Sequence, residues 1–101
     1  MTRILDRGVR PTAVFGANGP TPLGAVRALH ARLGREAASA IDVISFDDLD
    51  WFDFTTPRIS AVRNDAASIG RLGVRGLIDL IDGRPVESQR VAMELVDRSA
   101  A

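Results

Sequence analysis

The chain has 101 residues, of which 46% are apolar, and its 13 basic and 13 acidic side chains give a net charge of zero. We expect a soluble, cytoplasmic chain of at most one domain, without a basic footprint for nucleic acid. It contains no cysteine, no lysine, one histidine and no long apolar run, which excludes disulfides, thiolate or histidine-rich metal sites, lysine-dependent chemistry and membrane spans.

The first third of the chain predicts a strand between two helices. Gly8 and Pro11 end a short N-terminal helix, because glycine suits the position after a helix and proline cannot continue one. The short apolar run 12–17 predicts a first strand that is buried on both faces. A turn follows, and we expect Thr21 to cap a second, amphipathic helix that ends near Gly34.

The next segment predicts two further strands. Residues 36–40 are a connector of small residues, and the β-branched run 41–46 indicates a second buried strand. The order strand, helix, strand predicts a βαβ unit with parallel strands. An acidic and aromatic loop covers residues 47–56, and the alternating stretch 58–63 indicates a third strand.

The last third of the chain predicts one long helix and a closing strand. Asn64 or Asp65 caps the helix, and Gly83 marks its end. Each glycine inside this helix costs about 1 kcal/mol against alanine, so we expect these glycines to allow close approach of another backbone. Residues 90–98 alternate between apolar and polar or small side chains, as a strand does. The apolar face of the helix carries Ile69, Leu72, Leu77 and Leu80.

Two polar side chains, Asn18 and Asp47, follow the first two predicted strands. The carboxyl ends of parallel strands meet at one edge of a sheet, where open α/β sheets bind ligands, so we expect both residues there. An amide offers donors and an acceptor, and a carboxylate offers acceptors, which suits neighbouring sugar hydroxyls. The alternative is a local role in Asx turns or helix caps.

Other clusters admit simpler interpretations. The turn Gly16–Gly19 resembles a phosphate cradle but lacks the full dinucleotide fingerprint. The acidic loop lacks the spacing of a calcium loop, so we interpret it as solvated surface and expect no metal site. His30 has no catalytic or metal-spaced partner, and we expect it to pack on a helix or lie at the surface. Three aromatic residues in the loop either cover the core edge or bind a partner: Trp51, Phe52 and Phe54.

An ordered set of segments runs through nearly the whole chain: Phe15–Asn18, Leu23–Ala25, Ala28–Leu29, Asp42–Asp48, Pro57–Val62, Gly70 and Leu95–Ser99. In this order they resemble the effector-binding core of the lactose-repressor/galactose-repressor (LacI/GalR) transcription regulators. The resemblance runs from about Pro11 to Ser99 and rests on the ordered set rather than on one motif. The chain departs from the family pattern at Gly19, where aspartate is usual, and at Ser45, where glycine is usual.

The resemblance implies a periplasmic-binding-protein-like lobe, an α/β fold of parallel βαβ units with flavodoxin-like layering. Residues 1–101 would be an incomplete C-terminal effector-binding domain, with the helix-turn-helix DNA-binding domain and the first lobe outside this chain. Asn18 and Asp47 match family positions that hydrogen-bond a sugar-like effector. We expect a non-enzymatic homodimer, without cofactor or membrane, whose effector controls DNA binding allosterically through the N-terminal domain.

The resemblance also implies a dimer interface on this chain. Parts of that interface match the helix beginning near Leu23 and the loop before Pro57, and the candidate residues are Leu23, Val26, Trp51, Phe52 and Phe54. Because the long helix would pack on the absent lobe in the family, we expect the chain alone to dimerise or swap elements, and to bind effector weakly.

Two other functions remain open from the sequence. One is a fragment of an NAD(P)-dependent Rossmann-type reductase, which would need more strands and a proton-handling Tyr or Lys, and neither of these residue types occurs in the chain. The other is a solute-binding protein of the same two-lobe fold, which differs from a regulator in what precedes the domain.

Overall fold

Strands and helices alternate along residues 1–99, the part of the chain that the computed structural model describes. In chain order they are α1 (Thr2–Asp6), β1 (Ala13–Gly16), α2 (Pro20–Leu33), α3 (Arg35–Ser39), β2 (Asp42–Phe46), a 3-10 helix (Asp50–Phe54), β3 (Ile59–Arg63), α4 (Ala66–Ile81) and β4 (Glu94–Val96). The chain divides into two compact units. Unit 1 comprises residues 1–63 and the described residues from Leu95 onward, and unit 2 comprises Asn64–Glu94.

The sheet has the order β1-β2-β3-β4, and the first three strands are parallel neighbours. Val14 lies opposite Val43, and Val43 lies opposite Ile59. The connection from β1 to β2 runs through α2 and α3, as a parallel crossover requires. The structure therefore confirms the predicted α/β fold class with its parallel βαβ unit.

The core of unit 1 lies between α2 and one face of the sheet. Every second residue of β2 turns toward α2, so Val43 is buried while its neighbours along the strand are exposed. Burial of each large apolar side chain contributes about 1.5–3 kcal/mol. The core consists of Leu5, Val26, Leu29, Ala38, Ile41, Val43, Phe52, Ile59 and Ala61.

The opposite face of the sheet is exposed at β1 and β2, which corrects the expectation that these two strands are buried on both faces. Phe15 is 62% exposed, and Ile44 and Phe46 are also exposed. The apolar runs in β1 and β2 contain these side chains as well as the core residues. Apolar content alone could not show that, within residues 1–99, only one face of β1 and β2 is covered.

Several element boundaries differ from the sequence-based expectations. Residues 35–39 form the short helix α3 instead of a connector. Gly34, whose φ is +82°, ends α2 and separates it from α3. Thr21 lies inside α2 and does not cap it, because the helix already begins at Pro20. The closing strand covers only Glu94–Val96, since the rest of the stretch 90–98 alternates in sequence but pairs with no neighbouring strand.

Unit 2 consists of α4 and the segment that follows it. The Asp65 carboxylate caps α4 by accepting from the Ser68 backbone N–H at 3.0 Å, which decides between the two candidates, Asn64 and Asp65, that the sequence offered. No residue of α4 is buried, and its large apolar side chains are exposed or half-exposed. A Cβ added to Gly70 or Gly73 would meet no described atom within 4 Å, so the expected close backbone approach does not occur among residues 1–99.

Candidate functional site

The structure places Asn18 and Asp47 at the same edge of the sheet. Gly16, the last residue of β1, lies opposite Ser45 near the end of the parallel strand β2. Asn18 follows β1 by two residues, and Asp47 directly follows β2. Both residues therefore lie at the carboxyl ends of neighbouring parallel strands, where open α/β sheets bind ligands.

The Asn18 side chain caps α2 with its oxygen and keeps its nitrogen available. Asn18 Oδ1 accepts from the Thr21 backbone N–H at 3.0 Å and from Thr21 Oγ1 at 2.6 Å. Among the described residues, the amide nitrogen of Asn18 has no hydrogen-bond partner, and the residue is exposed. The capping role and a ligand role are compatible, because they use different atoms of the amide.

Asp47 adopts an unusual backbone conformation. Its φ of +81° makes it the one non-glycine residue of the described range 1–99 in the left-handed region. Aspartate visits this region more readily than most residues, at a cost that the surroundings must offset. The Asp47 backbone N–H donates to the Val62 carbonyl oxygen at 3.0 Å, which continues the contact with β3 beyond the end of β2.

The glycines beside the site serve packing. A Cβ at Gly16 would lie 2.5 Å from Cγ of Pro22, so only glycine lets α2 start this close to the end of β1. A Cβ at Gly19 would lie 3.0 Å from Cδ1 of Leu49. The loops after β1 and β2 therefore pack on each other. Buried Ser45 adds to this contact, since its Oγ donates to the Asn18 carbonyl oxygen at 3.4 Å.

The start of α2 is a poor phosphate cradle. Pro20 and Pro22 have no backbone N–H, and the N–H of Thr21 between them already donates to Asn18. Phosphate binding at a helix N-terminus depends on such free N–H groups. The local geometry therefore disfavours a dinucleotide site at the Gly16–Gly19 turn.

The residues proposed for a dimer interface separate into two groups. Val26 and Phe52 lie in the core, and Phe52 has no exposed surface. In this conformation they cannot contact a partner, which corrects the expectation for these two side chains. Trp51 is half-buried and packs edge-on against Phe52 with ring centroids 4.7 Å apart, whereas Phe54 is 86% exposed. Leu23 is half-buried, so surface remains on Leu23, Trp51 and Phe54.

His30 lies half-buried in α2, and its Nε2 contacts the carbonyl oxygen of Thr56 in the loop before β3. This contact joins the helix to the loop, which agrees with the expected packing role. Within residues 1–99, no group of three or more His, Asp or Glu side chains could hold a metal ion. No helix of the same range has both the length and the hydropathy to cross a membrane.

An ion-pair network beside the site was not predicted from the sequence. Asp48 Oδ1 lies 2.8 Å from Arg98 Nη1, and Asp48 Oδ2 lies 2.8 Å from Arg63 Nη2. The side chains of Asp48 and Arg98 are only 9% and 8% exposed. This corrects the interpretation of the whole acidic loop as solvated surface. Asp48 and Arg98 are 50 residues apart, so no local pattern could have revealed the pair.

The network changes the acidity of Asp48. The hydrogen bond from Arg98 lowers the pKa of the Asp48 carboxyl below its usual value, and Arg63 adds to the lowering, while burial acts in the opposite direction. Asp48 is therefore ionised at neutral pH and fully engaged with arginines. It is not available as a ribose ligand or a general acid.

Known proteins are similar to this chain in sequence and fold. The periplasmic binding protein-like domain family matches residues 1–100. The chain is 34% identical over 91 residues to the probable HTH-type transcriptional repressor ExuR of Bacillus subtilis (strain 168), which covers 90% of this chain and 27% of that protein. It is 30% identical over 97 residues to the lactose operon repressor of Escherichia coli (strain K12), which covers 95% of this chain and 27% of that protein.

A solved structure agrees with the sequence comparisons. The lac repressor bound to ONPG in its repressed state superposes with a TM-score of 0.80 at 29% identity, over 99% of this chain and 30% of that chain. The fold and the family match thus define a periplasmic binding protein-like α/β domain. The chain belongs to that domain family, in the form found in LacI-type transcription regulators. It spans about a quarter of the length of the two curated relatives, which are both repressors.

Proposed function

We propose that this chain is the effector-binding part of a LacI-type transcription regulator and that its effector is a small hydroxylated metabolite of the sugar class. The observation that carries the proposal is the placement of Asn18 and Asp47 at the ends of adjacent parallel strands. One side chain supplies amide donors and the other supplies carboxylate acceptors, which together match a pair of neighbouring hydroxyl groups.

The proposed role is binding and not catalysis. Effector binding would be coupled to DNA binding by a helix-turn-helix domain elsewhere in a longer, cytoplasmic protein, because two sites on one protein can bias the same conformational equilibrium. The whole regulator would act as a homodimer, and Leu23, Trp51 and Phe54 carry the surface that this chain offers to a second copy. The repressor identity of the curated relatives supports this assignment.

Two competing functions have less support. A nicotinamide-dependent reductase would need the phosphate cradle that Pro20 and Pro22 impair at the start of α2. A solute-binding protein of the same fold would use the same strand-end site. The relatives named above are regulators, however, and this similarity favours regulation over transport.

A titration followed by NMR tests the proposal. We expect pentoses, hexoses and disaccharides, added to the ¹⁵N-labelled chain at millimolar concentration, to shift the amide signals of Asn18 and Asp47. The affinity should be weak, because the site uses only two residues of one sheet edge. A reduced nicotinamide cofactor is the control and should cause no shift. If no sugar shifts these two signals, or if the cofactor does, the proposal is wrong.

A further inference from the structure

One carboxylate anchors the loop that follows β2. Asp48 receives a hydrogen bond from Arg98 Nη1 at 2.8 Å on one oxygen. Its other oxygen accepts from Arg63 Nη2 at 2.8 Å and from Arg63 Nε at 3.1 Å. Both oxygens of a nearly buried carboxylate are therefore held by guanidinium groups, which is the geometry of strong, directional charge-assisted hydrogen bonds.

Arg98 is itself fixed at several points within unit 1. Its Nε donates to Asp53 Oδ1 at 2.7 Å, and its Nη1 also donates to the Ile59 carbonyl oxygen at 2.8 Å. The guanidinium carbon lies 5.9 Å from the centre of the buried Phe52 ring. A planar guanidinium suits this combination of forked hydrogen bonds and ring contact, which a lysine could not make.

The two arginines belong to unit 1 and lie on either side of unit 2 along the chain. Arg63 is the last residue of β3 and the last residue of unit 1 before the chain enters unit 2. Arg98 follows β4, in the segment that rejoins unit 1 at Leu95. The Asp48 carboxylate thus links the end of β3 and the segment after β4 to the loop that begins at Asp47.

We propose that Asp48 is a positioning residue, which holds the Asp47 carboxylate in its binding position through ion pairs with Arg63 and Arg98. The inference rests on the proposed function, since it assigns a second residue to the same site. Asp47 adopts a left-handed backbone conformation that costs free energy, and such a conformation persists only where neighbouring contacts fix it. Directly after Asp47, these two ion pairs hold the carboxylate of Asp48.

The test compares Asp48→Asn with Asp6→Asn in the 101-residue chain. Asp6 is the matched control, because it is also paired with an arginine, Arg32, at 3.1 Å, but lies exposed and away from the site. Hydrogen exchange of the Asp47 amide, which donates to Val62, is the first measurement. We expect D48N to accelerate this exchange at least tenfold relative to the amides of core residues such as Val43, and D6N to leave the ratio unchanged.

The second measurement is affinity for D-ribose and for ONPG, followed by amide shifts. We expect D48N to weaken binding about tenfold, the lower end of the loss seen when a group that orients a metal-ligating side chain is removed. Equal acceleration at all amides, or unchanged Asp47 exchange and unchanged affinity, would overturn the inference. If D48N does not fold, Arg63→Gln removes one of the two partners, and the absence of any selective effect on Asp47 exchange overturns the inference equally.

The two measurements separate this inference from the proposed function. If neither sugar binds the unmodified chain while D48N still releases the Asp47 amide selectively, the positioning role of Asp48 holds and the choice of sugar ligands fails. If a sugar binds normally to D48N, the site is real and Asp48 does not position it.

Discussion

Unit 1 and unit 2 form their helices in different ways. In unit 1, α2 buries Val26 and Leu29 against the sheet, so tertiary packing stabilises it. In unit 2, α4 buries no residue, and its clearest stabilising feature is the Asp65 cap at its first turn. A helix of 16 residues with internal glycines has little stability in water without packing. The same amphipathic pattern thus gives a helix that is packed on the sheet in unit 1 and a helix with an exposed apolar face in unit 2.

The largest expected effect compares equivalent truncations in the two units. Leu29→Ala should lower the free energy of unfolding by about 2–5 kcal/mol, because it leaves a cavity at a fully buried site. Leu77→Ala in α4 should cost about 0.5 kcal/mol or less, because Leu77 is exposed. Urea denaturation of both variants, at a protein concentration too low for association through α4, measures the difference. Similar losses in the two variants would show that Leu77 is packed in solution.

The exposed face of α4 leads to a prediction about self-association. Apolar side chains such as Leu77, Leu80 and Ile81 remain exposed, and burying each contributes about 1.5–3 kcal/mol. We expect the chain to dimerise or exchange elements at micromolar concentration, and Leu77→Glu with Leu80→Glu to reduce association. Sedimentation velocity tests this. A folded monomer for the unmodified chain at that concentration would contradict the expectation.

Acid should destabilise unit 1 through Asp48. Its folded pKa is lowered, chiefly by the hydrogen bond from Arg98, so its contribution is fully present above the unfolded pKa. The contribution is lost as the pH falls from about 4 through the folded pKa. Asp48→Asn should therefore flatten the acid dependence of stability in that range. Some dependence should remain, because the pKa values of Asp65 and Asp97 are also lowered. An unchanged acid profile in the variant would contradict the prediction.

The smallest expected effect concerns the glycines of α4. Gly73→Ala should stabilise the helix by about 0.5–1 kcal/mol, because the added methyl meets no described atom and alanine has the better helix propensity. Circular dichroism at increasing temperature measures the gain, with Gly70→Ala as a second test. A loss of stability or association in these variants would show that the glycine face is in contact with a second chain.

Sequence patterns over a few neighbouring residues predicted the features that depend on those residues, such as strands, helices and caps. The βαβ order follows from apolar runs and turn residues, and the Asp65 cap follows from its position before a periodic segment. The same reasoning placed Asn18 and Asp47 at one edge, because parallel strands share their carboxyl side.

Long-range choices could not be predicted in the same way. Asp48 pairs with Arg98, which is 50 residues away in sequence, and no rule of sequence spacing identifies such a pair. Phe52 and Phe54 are two residues apart in one loop, yet the first is buried and the second exposed. Which of them enters the core depends on how the 3-10 helix is oriented against β3, and the sequence pattern does not record that orientation.

A crystal structure of the chain with a bound sugar tests the central claim most directly. We predict sugar hydroxyl oxygens within hydrogen-bond distance of the Asn18 amide nitrogen and of the Asp47 carboxylate, with the oxygen of Asn18 still capping α2. A sugar bound at any other place, or bound without contact to either side chain, would contradict the assignment of this strand-end site.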